Sequence, residues 1–156
     1  QSLVHELQVH QIELEMQNEE LRSSQVLLEE SRSKYSNLYE FAPVGYFTLD
    51  NNGLILEANL TGADMLGVQK NVLMKKPFTR FVLKDDRDKF YFHNKKIIVT
   101  KIKQACELRL QKKDGEIFYA QLESLPILAG KEKDMQMRMA VSNITDRKKM
   151  EEIIRH

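Results

Sequence analysis

The chain has 156 residues, with 24 Lys and Arg against 23 Asp and Glu, so its formal net charge is +1. This length suits one domain with appended elements, and the near balance of charge argues against a protein that coats nucleic acid. Hydrophobic residues make up 42% of the chain and charged residues 30%, which argues against both a disordered chain and an integral membrane protein.

The single cysteine, Cys106, can form neither an internal disulfide nor a thiolate metal cluster, which favours a reducing compartment. No apolar run approaches the roughly 20 residues that cross a bilayer, and the polar, acidic start lacks the layout of a signal peptide. We therefore expect a cytoplasmic chain without membrane contact in this segment. Helical patterns run into both ends, so we also expect a segment of a longer protein.

The first 42 residues contain neither Gly nor Pro and carry a heptad repeat. Leucines recur at every seventh position, which is typical of the d positions of a left-handed coiled coil; they are Leu7, Leu14, Leu21 and Leu28. The a positions are mostly polar, which lowers stability but fixes the register. Residues 1–34 are predicted to form a coiled-coil helix that pairs two copies into a homodimer; a solvated spacer helix is the alternative.

The near-neutral total charge is the sum of two opposite parts. Residues 1–42 hold eight acidic and three basic residues, a net −5, and the remainder has a net charge of +6. The lysines are scattered in pairs and no basic block precedes the leucine repeat, so no nucleic-acid partner is expected. The split instead predicts a salt-sensitive contact between the acidic helix and the basic domain, its own or its partner's.

From Pro43 the pattern changes to short strands and helices. Two β-type runs, residues 44–50 and 54–58, flank an Asn-Asn-Gly turn and predict a hairpin. Asn59 then stands where it can cap a short helix at residues 61–66.

A longer helix is predicted further on. Asp85 and Asp86 are candidate N-caps, and the helix that follows carries Phe90, Ile97 and Ile98 on one face. That apolar face is expected to cover the sheet.

Three more strands follow, at residues 106–111, 117–128 and 135–144, in which apolar and polar side chains alternate. An Asp-Gly turn separates the first two, and a charged loop at residues 130–134 precedes the third. This order predicts an α+β fold in which helices cover one face of an antiparallel sheet.

Three stretches together resemble a PAS domain, the sensor module of bacterial and archaeal signalling proteins. They are FAPVGYFTLDNNGLILEANLTGADMLG (41–67), ELRLQKKDGEIFYAQLES (107–124) and SNITDRKKMEE (142–152). The upstream HQIELEMQNEELRSSQ is similar to the linker helix before such domains in sensor histidine kinases. The resemblance runs from Tyr35 to the C-terminus and places the PAS domain itself at residues 35–146. It implies a five-stranded antiparallel sheet whose helices enclose a small pocket.

The resemblance also implies that an Asp-Ile-Thr motif couples the last strand to an output helix. Here the motif stands as Asn143-Ile144-Thr145, followed by Asp146, and the output linker helix is expected over residues 147–156. An asparagine can make only neutral hydrogen bonds, so the motif departs from the family pattern in the strength of contact that it offers.

Ten residues are candidates for the lining of the pocket. We interpret the aromatic residues and methionines among them mainly as core residues and only secondarily as the lining of a pocket. Either they enclose a small apolar or planar ligand, or they fill the interior themselves. Asn59 is a candidate for a hydrogen bond to a ligand as well as a helix cap. The candidates are Phe47, Asn59, Met65, Phe78, Phe81, Phe90, His93, Cys106, Phe118 and Met139.

Two candidates invite comparison with cofactor-bearing PAS domains. Some of these bind haem through a histidine on the long helix, the position that resembles His93; a packed or half-exposed histidine is the alternative. Cys106 lies in a predicted strand and lacks the Asn-Cys-Arg-Phe context of flavin-binding LOV domains, so we interpret it as a packed thiol. No cofactor is expected in the first instance, with haem as the alternative, and no metal site is predicted.

No enzyme motif is found in this segment. The four histidines form no i,i+4 ligand pair, and a serine elbow and a phosphate-binding glycine loop are both missing. The leading hypothesis is a sensory or signal-relay module of a sensor histidine kinase that responds to a small ligand or an upstream signal and acts on an output domain in the same chain. The alternatives are a ligand-free dimerisation module and a haem-type redox or gas sensor.

Overall fold

The computed structural model describes residues 2–127 and 135–155. It divides into two compact units, residues 1–38 and 39–156. Helix α1 (Leu3–Glu40) makes up the first unit, and its last two residues, Tyr39 and Glu40, belong to the second. Every described side chain up to Leu38 is exposed, so α1 has no core of its own within the first unit.

The second unit is built on a five-stranded antiparallel sheet, as predicted. Its strands are β1 (Gly45–Leu49), β2 (Ile55–Ala58), β3 (Gln104–Gln111), β4 (Ile117–Ile127) and β5 (Gln136–Asn143). Their order across the sheet is β2-β1-β5-β4-β3, and all neighbours are antiparallel. The first and last strands along the chain therefore lie side by side at the centre.

Helices and turns connect the strands and cover one face of the sheet. They are α2 (Leu60–Leu66), α3 (Lys70–Leu73), 3₁₀ turns at Phe78–Phe81 and Lys84–Asp86, and α4 (Arg87–Thr100). A last helix, α5 (Thr145–Arg155), follows β5 and buries none of its side chains. The predicted cap of α2 is confirmed, because Asn59 Oδ1 accepts from Gly62 N, and Gly67 ends the helix in the left-handed conformation. Helix α5 begins at Thr145, two residues earlier than expected.

The alternating strand pattern is confirmed. β4 buries Phe118 and Leu122, and β5 buries Met137, Met139 and Val141, on the side that carries the core. Side chains that stand between these positions are more exposed, as the two-residue period of a strand requires. Residue 128 and the predicted loop at residues 130–134 lie outside the described residues.

Two expectations about α4 are wrong. Ile98 is exposed, and the buried positions are Phe90, His93 and Ile97, which lie three and four residues apart and so share one helix face. Neither Asp85 nor Asp86 caps the helix through its side chain: Asp86 occupies the N-cap position without a capping bond, and Asp85 is exposed.

The Asp86 carboxylate instead binds Arg109 of β3. Asp86 Oδ2 accepts from the Arg109 backbone N at 2.7 Å and from Nε at 3.0 Å, and Oδ1 accepts from Nη2 at 3.0 Å. These charge-assisted bonds are stronger than a neutral capping bond. The pair joins the start of α4 to an edge strand of the sheet.

The same pair generates a pH-dependent prediction. Asp86→Asn is expected to lower the free energy of unfolding by about 1–3 kcal/mol, because the buried partner of Arg109 loses its charge. The Arg109 hydrogen bond holds the pKa of Asp86 below its ordinary value of 3.8. A carboxyl with a lowered folded pKa stabilises above its unfolded pKa and loses that effect as the pH falls through the folded value.

Urea unfolding at neutral and at acid pH measures the effect. The difference between the wild-type chain and Asp86→Asn should shrink on acidification through the Asp86 titration. Asp85→Asn is the matched control and should stay within about 0.5 kcal/mol of wild type. Equal losses in the two variants would contradict the assignment of the pair.

Candidate functional site

Asn59 is a fully buried amide at the point where α1 ends and the sheet begins. Its Oδ1 accepts from the backbone N of Tyr46 at 2.9 Å and of Gly62 at 2.8 Å. Its Nδ2 donates to the backbone O of Tyr39 at 2.7 Å and of Val44 at 3.1 Å. An asparagine amide has two acceptor sites and two donor hydrogens, so this side chain uses its full capacity to join α1, β1 and α2.

Two further side chains hold the end of α1. The Thr61 hydroxyl donates to Ala42 O at 2.6 Å and lies 3.3 Å from Glu40 O. Lys70 Nζ lies 2.8 and 3.0 Å from the two carboxylate oxygens of Glu40. We call residues 39–46 with Asn59, Thr61 and Lys70 the N-terminal junction.

Two glycines let α2 approach β1 closely at this junction. A Cβ atom on Gly45 would stand 2.8 Å from the Gly62 Cα, and one on Gly62 would stand 2.7 Å from the Phe47 ring. Such distances are shorter than any van der Waals contact, so a larger residue at either position would push α2 away from the strand. The close packing keeps the Gly62 N–H within reach of Asn59.

The strand that ends the sheet and the helix that leaves it form a second junction. Ile144 N donates to Tyr119 O at 2.9 Å, and Tyr119 N donates to Thr145 Oγ1 at 3.0 Å. Asn143 Oδ1 accepts from Thr145 N at 3.0 Å, which is the neutral bond expected of this residue. Asp146 follows, exposed, in the first turn of α5.

Glu107 of β3 binds the first turn of α5 through two cations. It pairs with Arg147 Nη2 and with Lys148 Nζ, each at 2.6 Å. The hydrogen bond from Lys148 is the main reason why the pKa of Glu107 lies below its ordinary value. We call residues 143–148 with Glu107 and Tyr119 the C-terminal junction.

Both junctions lie at the same end of two neighbouring strands. β1 begins at Gly45, which is paired with Val141, two residues before the end of β5 at Asn143. The chain therefore enters β1 and leaves β5 side by side. A shift of one strand is passed to the other through the backbone hydrogen bonds that pair them.

The interior between the sheet and the helices is packed with aromatic rings. The Phe78 ring lies 5.2 Å from the rings of both Phe47 and Phe90, centroid to centroid, within the range of favourable aromatic pairs. Most pocket candidates belong to this core, and two pack against it. The core members are Phe47, Phe78, Phe81, Phe90, Phe118 and Met139, and the two that pack against them are Met65 and Cys106.

His93 is part of this packed interior. It is buried, and its Nε2 lies 2.9 Å from Ser124 Oγ of β4. Burial lowers the pKa of His93 to about 4, so the imidazole is neutral at ordinary pH. An iron ligand at Nε2 would have to displace Ser124 and the surrounding core, so the residues present do not fit haem.

Cys106 is half-buried in β3. Burial raises the pKa of its thiol to about 11, so it is protonated and packs as a small apolar side chain. Sequence reasoning did not single out Thr61, Lys70, Glu107, Tyr119 or Ser124, whose partners lie 19 or more residues away along the chain. Local and periodic patterns, such as a helix cap or a heptad repeat, can be recognised in a sequence, whereas pairings over such distances cannot.

The four heptad leucines of α1 are all exposed, at 46–65% of their surface. They lie seven residues apart on a continuous helix, so they follow one stripe along it. Within residues 2–127 and 135–155, no helix is both long and apolar enough to cross a membrane.

Comparison with known families identifies the fold. The model of the PAS fold matches residues 33–140, and the chain belongs to the PAS family. PAS domains are sensory modules. A comparison with curated proteins found no match.

Solved structures show the same fold at low sequence identity. The PAS domain of an HTR-like protein from Haloarcula marismortui is 20% identical, with a TM-score of 0.66 over 79% of this chain and 99% of that one. A domain of a sensory box sensor histidine kinase/response regulator from Geobacter sulfurreducens is 17% identical, with a TM-score of 0.59 over 74% and 96%. A sensory box histidine kinase/response regulator from Burkholderia thailandensis is 17% identical, with 0.61 over 78% and 92%.

Removing the Asn59 amide tests the N-terminal junction. Asn59→Ala is expected to lower the free energy of unfolding by about 3 kcal/mol or more, because two backbone N–H groups and two carbonyls, in buried or part-buried positions, lose their partner. Asn52→Ala is the control, since Asn52 is an exposed asparagine in the β1–β2 turn and should change by less than about 0.5 kcal/mol. Chemical denaturation measures both, and a loss below about 1 kcal/mol for Asn59→Ala would show that the network is dispensable.

Proposed function

We propose that this PAS domain relays a signal from its N-terminal helix to the helix that leaves the sheet, within a dimeric sensor histidine kinase. The observation that carries the proposal is the placement of both junctions at one end of β1 and β5. A rotation or shift of α1 acts on β1 through Asn59, which binds both Tyr39 and Tyr46. β5 passes it to α5 directly along the chain and through the bond between Asn143 and Thr145, while Tyr119 of β4 holds the Thr145 hydroxyl. The output kinase or another effector domain would follow α5 in the same chain.

Several features support this role. Structural relatives with this fold come from sensor histidine kinases of Geobacter sulfurreducens and Burkholderia thailandensis. An ion pair accompanies the hydrogen bonds of each junction: the part-buried pair of Lys70 with Glu40, and the more exposed pair of Lys148 with Glu107. Solvent-accessible ion pairs are worth only about 0–1 kcal/mol, so α5 can be released at small cost, whereas the Asn59 network holds the end of α1 firmly to β1. The single cysteine further supports a cytoplasmic setting.

The dimer is proposed to form through α1. Its leucine stripe has no partner within the first unit, and a long exposed helix with a heptad repeat is stabilised when the stripe is covered by a second copy. The scattered lysines support no nucleic-acid partner, and the segment is proposed to act without membrane contact.

A ligand-free dimerisation module is the second candidate. The packing of Phe47, Phe78 and Phe90 favours it, because these rings occupy the interior where a pocket was expected. In such a module the two junctions would hold their helices without influencing each other.

Hydrogen exchange separates the two candidates. Thr61→Val removes one hydroxyl from the N-terminal junction without a change in shape. Under the relay proposal, the loss of about 1 kcal/mol of hydrogen bonding speeds amide exchange in α5 roughly fivefold. Thr100→Val is the control, since its hydroxyl donates to Lys96 O at the far end of α4.

Exchange confined to residues 39–46 in Thr61→Val, with α5 unchanged, would contradict the relay and favour the ligand-free module. Faster exchange of α5 in the Thr100→Val control as well would show a general loss of stability instead of coupling between the junctions.

Light scattering tests the dimer. The wild-type chain is expected at twice its mass of 18.3 kDa, and Leu14→Asp with Leu21→Asp is expected to be a monomer, because two charges enter the apolar stripe. Met16→Asp with Ser23→Asp is the matched control, with the same spacing and charge two residues off the stripe. A wild-type monomer at tens of micromolar would contradict the proposed dimer.

A further inference from the structure

A cleft beside α4 stands apart from both junctions and meets the aromatic interior only at Phe90. It has a volume of about 290 Å³ and lies between α4, the β1–β2 turn and the 3₁₀ turn that contains Thr79. From α4 it is lined by Phe90, Tyr91, Asn94, Lys95 and Ile98. Its volume is close to the lower end of the range of small-molecule sites.

One polar atom at this cleft has no partner. Within the described part of the chain, Asn94 Oδ1 is buried and accepts no hydrogen bond. Asn94 also lines a void of about 20 Å³ beneath the cleft, next to Ile97 and Met137. A buried acceptor without a donor costs free energy that a bound donor recovers.

The opposite wall of the cleft is rigid before any ligand binds. Asp50 Oδ1 accepts from the backbone N of Asn52 and of Leu54, each at 2.9 Å. Gly53 O accepts from Phe78 N at 3.1 Å. These bonds fix the β1–β2 turn against the 3₁₀ turn, and a preformed wall reduces the ordering cost of binding.

The α4 side of the cleft offers the aromatic ring of Tyr91 and the cation of Lys95, and its exposed side chains can change rotamer. Lys95 Nζ lies 5.8 Å from the centre of the Tyr91 ring, and Lys95 has no carboxylate partner among residues 2–127 and 135–155. Tyr91 and Ile98 are exposed, and exposed side chains change rotamer within nanoseconds. Because Tyr91 and Ile98 line the same cleft as Asn94, binding through Asn94 Oδ1 requires that these two side chains turn aside.

We propose that this cleft binds a small planar molecule that donates a hydrogen bond to Asn94 Oδ1 and directs an anionic group to Lys95. Aromatic hydroxy acids have this chemistry. This site would give the sensory role proposed above a ligand. Only the effect of binding on α5 rests on that proposed role, because binding itself can be measured whether or not the relay operates.

Two-dimensional NMR titration of the whole chain tests the site with 4-hydroxyphenylacetate as the probe. Phenylacetate is its matched control, because it lacks only the hydroxyl donor, and p-cresol lacks only the carboxylate. We expect shifts at residues 51–53 and 90–98 with the first probe, and at least tenfold weaker binding of the other two.

Two variants assign the contacts. Asn94→Leu should remove the preference for 4-hydroxyphenylacetate over phenylacetate and raise the melting temperature of the free chain, since an unsatisfied acceptor is replaced by an apolar group. Lys95→Gln should weaken binding of the carboxylates and leave p-cresol unaffected. Lys96→Gln is the control, because Lys96 lies on α4 outside this cleft.

Several results would overturn the site. The first is the absence of chemical-shift changes at probe concentrations up to ~10 mM, which would mean that any affinity is very weak. The second is equal binding of 4-hydroxyphenylacetate and phenylacetate, which would leave a water molecule in the void as the donor to Asn94. The third is a set of shifts centred on His93 and Ser124 in the interior. Failure of the relay alone would leave the binding data unchanged, so the two proposals fail separately.

Discussion

The buried amide of Asn59 is the interaction on which the rest of the structure depends. It satisfies four backbone groups from three elements at once. Asparagine carries two donor hydrogens and two acceptor sites on a short side chain, and no other residue type does so at this length. The Gly62 bond is buried and the other three are part-buried, and a polar group left unpaired out of reach of water costs about 1–3 kcal/mol. Within the second unit, one side chain thereby ties residues 39 and 44 to β1 and α2.

Because the interior is packed, the parts of the domain that can respond to a signal lie at its edges. Phe47, Phe78 and Phe90 fill the space that a PAS ligand was expected to occupy, and His93 is neutral and bonded to Ser124. The parts that remain adjustable are the solvent-accessible ion pairs of the C-terminal junction and the exposed side chains that line the cleft beside α4. A core that resists change is suited to passing on a displacement, because its packed elements move together.

The sequence allowed the fold to be predicted better than the site. The strand alternation, the hairpin and the cap at Asn59 are local patterns, and each is confirmed. The three other partners of Asn59 lie 13 to 20 residues away, so sequence spacing could not reveal them. Asp86 failed as a cap for the same reason, since Arg109 competes for its carboxylate from another element. α4 buries the face with His93 instead of the one with Ile98, and the buried His93 ring nitrogen finds a partner in Ser124, 31 residues away along the chain.

A double-mutant cycle between the two junctions tests the central claim most directly. Thr61→Val and Thr145→Val each remove one hydroxyl, at the N-terminal and the C-terminal junction, and their effects on the free energy of unfolding are measured singly and together. If β1 and β5 couple the junctions, the double variant should depart from the sum of the single effects by about 0.5 kcal/mol or more. Effects that add within ~0.3 kcal/mol would contradict the coupling and with it the relay.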